Sequence, residues 1–514
     1  VSGFALRAIV LVVWLPMMVV LALLYMTLSP SPDQSQFDWM AFIATQGQPY
    51  YAGSFDMNWP GAMWLHEAGI RLFGVHAWTW RLTDFLMLAG YTAAGAAFLF
   101  RAGWRTAPIV FLFLYPPLYV TAGGWMAGQR DMYAAGFLLV ACALAMPGRR
   151  WEFSAVFAAG VFVAAAVLVR PTFLTFIAGL ILLEALPLKV PHPRSLSRIG
   201  RAIGFALGLA AGIGAAVMAG LMLGILDDWY QQSIEFSLLV YFGEPPQDWR
   251  VTLDTLFVRS WHWICFLALI GFGFWAWRDR FGYALVLTVG LAATSAVSFA
   301  VQNKGFGYHL AGVLPVLVLF AAVAFDGLDQ WRRTSGSRAG SRAAVAALAL
   351  IGLLAFAGTA KKLMTFETGL RLLLSGTIGP AADHGLTEAE RREIVDTIKA
   401  GSSPDETVVV YGTNFDLAYR AERLPSHRFT NIVIDQADAS FPYYDAWMAE
   451  IDASLAKTPP AYMIFDRSFL AGPTERPSPA LQKRPVLNRL VDLIADGYVP
   501  VFSNETVVVY GKTG

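Results

Sequence analysis

Apolar residues run along this chain in long blocks, separated by polar stretches of two alternating kinds. Eleven blocks are long enough, or nearly so, to cross a bilayer: roughly 6–28, 79–100, 107–123, 132–147, 153–169, 172–188, 203–226, 258–277, 282–301, 309–326 and 343–360. The first is longer than the apolar core of a secretion signal and lacks a small-residue cleavage pattern after it, so it reads as a retained span. The fifth and sixth meet at Arg170-Pro171, which is compatible with a tight hairpin or with one long interrupted helix.

The connecting stretches set an orientation. Every second one is basic: Arg101 and Arg105; Arg149 and Arg150; Lys189, Arg194, Arg198 and Arg201; Arg278 and Arg280; Arg332, Arg333, Arg338 and Arg342. Basic loops stay in the cytoplasm, which puts the N-terminus inside. The opposite set, 29–78, 124–131, 227–257 and 302–308, is richer in acids and aromatics. An odd number of spans then leaves the segment from Lys361 onward outside.

The pattern changes at about residue 361. Apolar residues now come in short blocks: Thr407-Val408-Val409-Val410-Tyr411-Gly412, Ala461 to Asp466 and Thr506 to Gly511 read as strands. Leu386 to Ala400 has helical spacing, with Thr387 as N-cap and Glu390 completing a capping box; Leu481 to Asp496 predicts a second helix. The expected organisation is a membrane module over 1–360, with an outer loop at 29–78 bearing juxtamembrane helices, followed by a small periplasmic α/β domain over 361–514.

Composition agrees with a polytopic α-helical membrane protein. Of 514 residues, 56% are hydrophobic and 15% charged, against roughly 25% charged in a soluble domain. A formal net charge of +1 says nothing about acidic partners, and the lack of a long basic stripe argues against nucleic acid as a partner. Cys142 and Cys265 lie in apolar runs, as small core residues do. Seven scattered histidines make no HExxH or CxxC pattern, so no metal site is expected from motifs.

Ionisable residues next to hydrocarbon are costly, which makes them candidates for function. They gather in the outer set: Asp38 and Asp56 after the first span, Gln129, Arg130 and Asp131 before the fourth, Arg170, and Lys304 and His309 before the tenth. A carboxylate among several cations suits a reaction in which a hydroxyl loses a proton while a phosphate leaves. Each residue also has a plainer reading. Asp131 pairs with Arg130 or caps a helix; Arg170 snorkels; Asp56 makes an Asx turn; Lys304 sits in a solvated turn; His309 is interfacial. His66 and Glu67 read as surface residues of a second helix on the outer loop.

The order of these features resembles the GT-C glycosyltransferases, specifically the bacterial group of protein O-mannosyltransferases, aminoarabinose transferases and rhizobial lipopolysaccharide transferases. The resemblance rests on Phe37-Asp38-Trp39, Gly47-Gln48-Pro49-Tyr50, Asn58-Trp59-Pro60-Gly61, Leu72-Phe73-Gly74 and Arg81. Further matches are Gly128-Gln129-Arg130-Asp131, Gln302 to His309 and, in the tail, Val410-Tyr411-Gly412, Tyr419, Arg423 and Pro425 to Phe429. Two positions depart from it. The group often has Asp-Glu where this chain has Asp38-Trp39, and Lys-Pro where it has Trp59-Pro60. The base role therefore carries over to Asp38, whereas the loop's phosphate-binding lysine has no counterpart, leaving Lys304 or Arg170 to replace it.

The resemblance implies an enzyme of the bacterial inner membrane. It would move one sugar from a polyprenyl-phosphate donor to a hydroxyl on a glycan, lipid or protein at the periplasmic face. Asp38 would act as base, with Asp131 or Asp56 assisting; Arg130, Arg170, Lys304 and His309 would hold the donor phosphate. Trp59, Gln129 and Tyr308 are the candidates for contacting acceptor or sugar. Such an enzyme would need no nucleotide sugar, which fits the lack of a Gly-rich nucleotide loop, and some relatives bind a divalent metal while others need none. The rival readings are a transporter or flippase of a lipid-linked or polar solute, against which the missing internal repeat counts, and a non-catalytic membrane scaffold. Tyr443, Tyr444 and Trp447 suit either sugar stacking or a domain core.

Overall fold

The computed structural model describes residues 10–148, 150–185, 188, 196–243, 250, 262–279, 282–302, 304–334, 337–364, 386–470 and 484–513. Arg149, Lys189, Arg194, Arg280 and Asn303 lie outside the described residues. A helix underlies each of the eleven apolar blocks, from Leu15–Met26 to Arg338–Met364. Among the described residues, five are long and apolar enough to cross a membrane: Thr79–Arg101, Glu152–Val169, Arg198–Met222, Tyr283–Gln302 and Gly307–Thr334. Val12–Met26, Ala107–Val120 and Pro171–Ile181 are apolar but shorter. At Arg170 the backbone turns extended (φ −142°, ψ 94°) before a 3-10 turn at Pro171–Leu174, the break that Pro171 dictates.

By internal contacts the chain forms two compact units. The first comprises Val1–Tyr25, Asp84–Ala216 and Pro245–Leu374; the second comprises Met26–Thr83, Val217–Glu244 and Ser375–Gly514. This division differs from a single cut at residue 360, because the outer loop is grouped with the C-terminal segment.

The first unit is helical. Leu314–Thr334 packs against His262–Arg278, Ala107–Val120 and Arg338–Met364, while Arg130–Ala145 packs against Glu152–Val169. Small residues let backbones meet: a Cβ on Gly208 would lie 1.9 Å from the Phe157 carbonyl oxygen. The alternation of basic and aromatic loops is visible in this unit. At one end the Arg101 guanidinium donates to the Pro147 carbonyl (2.7 Å), and Arg278 donates to that of Gly103 (3.0 Å). Arg201 is buried at the same end. It pairs with Glu152 and Glu184 and donates to the Ala145 carbonyl and the Tyr283 hydroxyl.

The second unit is α/β. Its strands β1 (Val408–Tyr411), β2 (Tyr462–Asp466), β3 (Tyr498–Ser503) and β4 (Val507–Lys512) are ordered β1-β2-β4-β3. β1 and β2 run parallel, with Val409 opposite Met463; β4 is antiparallel to β2 and β3. Alternate residues feed two cores. Val408, Val410, Ile464 and Val509 face one that includes Ile394, Ile398, Leu417 and, from the outer loop, Trp39 and Phe42. Val409, Met463, Phe465 and Tyr510 face the other, with Trp447, Leu487, Phe55 and Phe236. Burial on both faces explains why β1, β2 and β4 are unbroken apolar runs. Trp447 is thus core, stacked on Tyr443 with ring centroids 6.0 Å apart. The Thr387 capping box forms as predicted, opening the helix Glu388–Gly401.

Candidate active site

Asp38 lies in the helix Pro32–Thr45, which Pro32 and a Ser31–Gln34 capping box start. The helix Gly61–Phe73, packed against it, presents His66. Asp38 Oδ1 is 2.7 Å from His66 Nδ1. Both are buried, at 5% and 1% exposure, which overturns the surface reading of His66. The imidazole stacks on Trp80 at 3.6 Å between centroids and meets Phe37 edge-on. Burial pushes the Asp38 carboxyl above the usual carboxylate range, opposed by His66 and then Arg81. Burial likewise pushes the His66 imidazolium down, opposed by Asp38. Burial thus disfavours the charged form of both groups. Among the described residues His66 Nε2 has no hydrogen-bond partner. Arg81 is held by the Leu28 and Ser29 carbonyls (3.0 and 2.5 Å), fixing where the outer loop begins.

Asp56, in the same unit, has another task. Its Oδ1 accepts from the Asn58 backbone N–H (2.6 Å), its Oδ2 accepts from Gln36 Nε2 (3.1 Å), and its own N–H donates to Gln232 Oε1 (3.1 Å). This is the Asx turn, extended into a clamp on the loop. Trp59 sits edge-on to Trp229, with centroids 5.7 Å apart.

The remaining candidates belong to the first unit. Arg170 Nε donates to Asp131 Oδ1 (3.2 Å), and Arg170 Nη2 donates to Gln302 Oε1. Gln302 is anchored in turn to the Ser298 carbonyl (3.0 Å). At 7% exposure Arg170 is not a snorkelling side chain, and it pairs with Asp131. Gln129, Arg130, Lys304 and His309 are all buried, so neither a solvated turn for Lys304 nor an interfacial position for His309 holds. The 3-10 turn Gly307–Val313 comes close to this cluster because Gly312 has no side chain: a Cβ there would lie 3.0 Å from the Asp131 carbonyl oxygen. Among the described residues His309 Nδ1 has no hydrogen-bond partner, and its ring meets Tyr308 edge-on at 4.5 Å. Tyr308 also stacks on Trp125. Arg130 and Arg170 are within electrostatic reach of both Asp131 and His309. Guanidinium, ammonium and imidazole donors of this kind suit a phosphate. Among the described residues, no three His, Cys, Asp or Glu side chains converge as a metal-binding set.

No family model and no curated protein matches the sequence. Solved structures do match. ArnT from Cupriavidus metallidurans, crystallised with undecaprenyl phosphate, superimposes over 98% of this chain and 98% of its own, with TM-score 0.60 and 15% identity. The archaeal oligosaccharyltransferase AglB from Archaeoglobus fulgidus, in complex with an inhibitory peptide and a dolichol-phosphate, matches over 90% of this chain and 70% of its own, with TM-score 0.51 and 11% identity. The chain has a GT-C fold.

Within this fold the sequence pattern missed several polar groups. Asp84 is fully buried within the helix Thr79–Arg101 and accepts from Tyr25 (2.6 Å) and Tyr119 (2.7 Å). Glu152 and Glu184 complete the Arg201 network, and Asp326 caps the helix Ala107–Val120. The signal was present in each case: an acid inside or at the edge of an apolar block demands a partner. His66 carried no such signal, because it lies in an ordinary amphipathic helix.

Proposed function

We propose that this chain is a membrane glycosyltransferase that uses a polyprenyl-phosphate-linked sugar as donor. The acceptor hydroxyl gives its proton to Asp38, and its oxygen attacks the anomeric carbon. The bond from that carbon to the phosphate oxygen breaks, and polyprenyl phosphate leaves with the electron pair. Arg130, Arg170, Lys304 and His309 bind the phosphate and neutralise charge on the leaving group. Asp131 holds Arg170 in place. Asp56 acts through the loop it clamps, and Trp59, Gln129 and Tyr308 contact acceptor or sugar. The membrane is bacterial and cytoplasmic, with the N-terminus in the cytoplasm and the segment 361–514 on the periplasmic side.

The Asp38–His66 pair supports this reading above all. A buried carboxyl with a raised pKa is a stronger base than an exposed one, and the hydrogen bond to His66 fixes its orientation. That ArnT was crystallised with undecaprenyl phosphate supports the choice of donor. The test is donor choice. The purified chain should transfer sugar from a polyprenyl-phosphate donor to cell-envelope acceptors and should not use the matching nucleotide sugar. Equal use of the nucleotide sugar would refute the proposal.

A further inference from the structure

The basic end of the first unit holds a cavity that the transfer reaction does not use. Its volume is about 320 Å³, and its walls include Arg105, Arg278, Arg333, Asp326, Asp329 and Gln330. Each acid already has partners of its own. Asp326 accepts from the backbone N–H groups of Arg105, Thr106 and Ala107 at 2.6, 2.7 and 3.1 Å, so it serves the start of a helix. Asp329 pairs with Arg332 and Arg333. Arg278 lies over the Trp104 ring at 4.0 Å and spends Nη2 on the Gly103 carbonyl. Arg105 is exposed and is part of the cavity wall.

An apolar groove of about 620 Å³ adjoins this cavity along the helices His262–Arg278 and Leu314–Thr334, and Gln330 lines both. Its walls include Ile270, Phe274, Trp277, Leu328 and Trp331. Trp277 and Trp331 are 71% and 43% exposed, an arrangement typical of indoles at the level of lipid headgroups. The wall is open at Gly273, where an added Cβ would meet nothing within 4 Å.

We propose that this end of the chain binds one anionic phospholipid. The headgroup phosphate lies in the cavity against Arg105, Arg278 and Arg333, and an acyl chain lies along the groove. The cations select a negative headgroup. The groove selects a lipid over a free anion, because only a lipid fills both compartments.

The full chain, purified in detergent, is titrated with phosphatidylglycerol or phosphatidylcholine of the same acyl chains, and bound lipid is read by native mass spectrometry. One phosphatidylglycerol should be retained in preference to phosphatidylcholine. Arg105→Gln should weaken its retention by about tenfold, the effect of one charge-assisted contact. Gly273→Leu, which fills open space, should weaken both lipids. Arg170→Gln, in the proposed donor-phosphate group, should change neither. Equal retention of the two lipids, unchanged retention in Arg105→Gln, or full displacement of phosphatidylglycerol by millimolar inorganic phosphate would overturn the proposal.

Discussion

Asp38 and His66 are individually ordinary residues, and their chemistry comes from being buried together. Asp38 must be ionised to accept a proton, so transfer activity should fall as pH drops through its raised pKa. That acid limb should lie above the ordinary carboxylate value. His66 lowers the Asp38 pKa by donating to it, so His66→Phe should move the acid limb to higher pH, and His66→Asn, which can still donate, should move it less. A pH profile of kcat/KM distinguishes this positioning role from simple loss of folded protein, which lowers the whole curve without moving it. Asp38 was legible in the sequence because an acid follows a long apolar span where nothing apolar requires one. His66 was not legible, because its partner lies across a helix pair 28 residues away. Asp56 was legible only as a pair of alternatives, and hydrogen bonds to Asn58 and Gln36 chose the turn.

Whole elements obeyed the pattern where burial was uniform. β1, β2 and β4 are buried on both faces and show up as apolar runs; β3 has exposed residues through its middle and Pro500 within it, so it carried little signal. The helices Phe415–Ala421 and Tyr444–Lys457 also lacked clear start signals, since neither N-cap side chain makes a capping bond. Two predictions belong to this scale. Gly208→Leu drives a side chain into the Phe157 backbone, and neither helix can yield there without losing its packing. It should cost about 1–3 kcal/mol, read as a lowered Tm in detergent. Arg201→Met leaves Glu152 and Glu184 buried without their cation and should cost about 3–5 kcal/mol, enough to remove most folded protein from the membrane fraction. Unchanged yield and Tm in both variants would contradict the packing described.

For the molecule as a whole, the sequence showed the eleven helical blocks, the alternation of loop chemistry and the α/β character of the tail. It did not show that the outer loop shares the tail's core, because Trp39, Phe42 and Phe55 look like interfacial aromatics until Phe415, Phe429 and Trp447 are placed beside them. One consequence concerns pH. His427 is buried in this unit with neither ring nitrogen hydrogen-bonded, and burial lowers its pKa from 6.5 to about 4. As pH falls through this interval, the unfolded chain takes up a proton that the folded one refuses. Stability is therefore full above about pH 6.5 and decreases by about 3 kcal/mol toward pH 4. Thermal unfolding across this range should show the loss, and His427→Leu should flatten it.

The most direct measurement is single-turnover release of polyprenyl phosphate from a purified, folded Asp38→Asn chain supplied with a polyprenyl-phosphate sugar and an acceptor. Removing a general base should slow release by about 10²–10⁴-fold while donor binding and Tm stay near those of the parent. Release at the parent rate, with the same product, would contradict the assignment of Asp38 as the group that takes the proton.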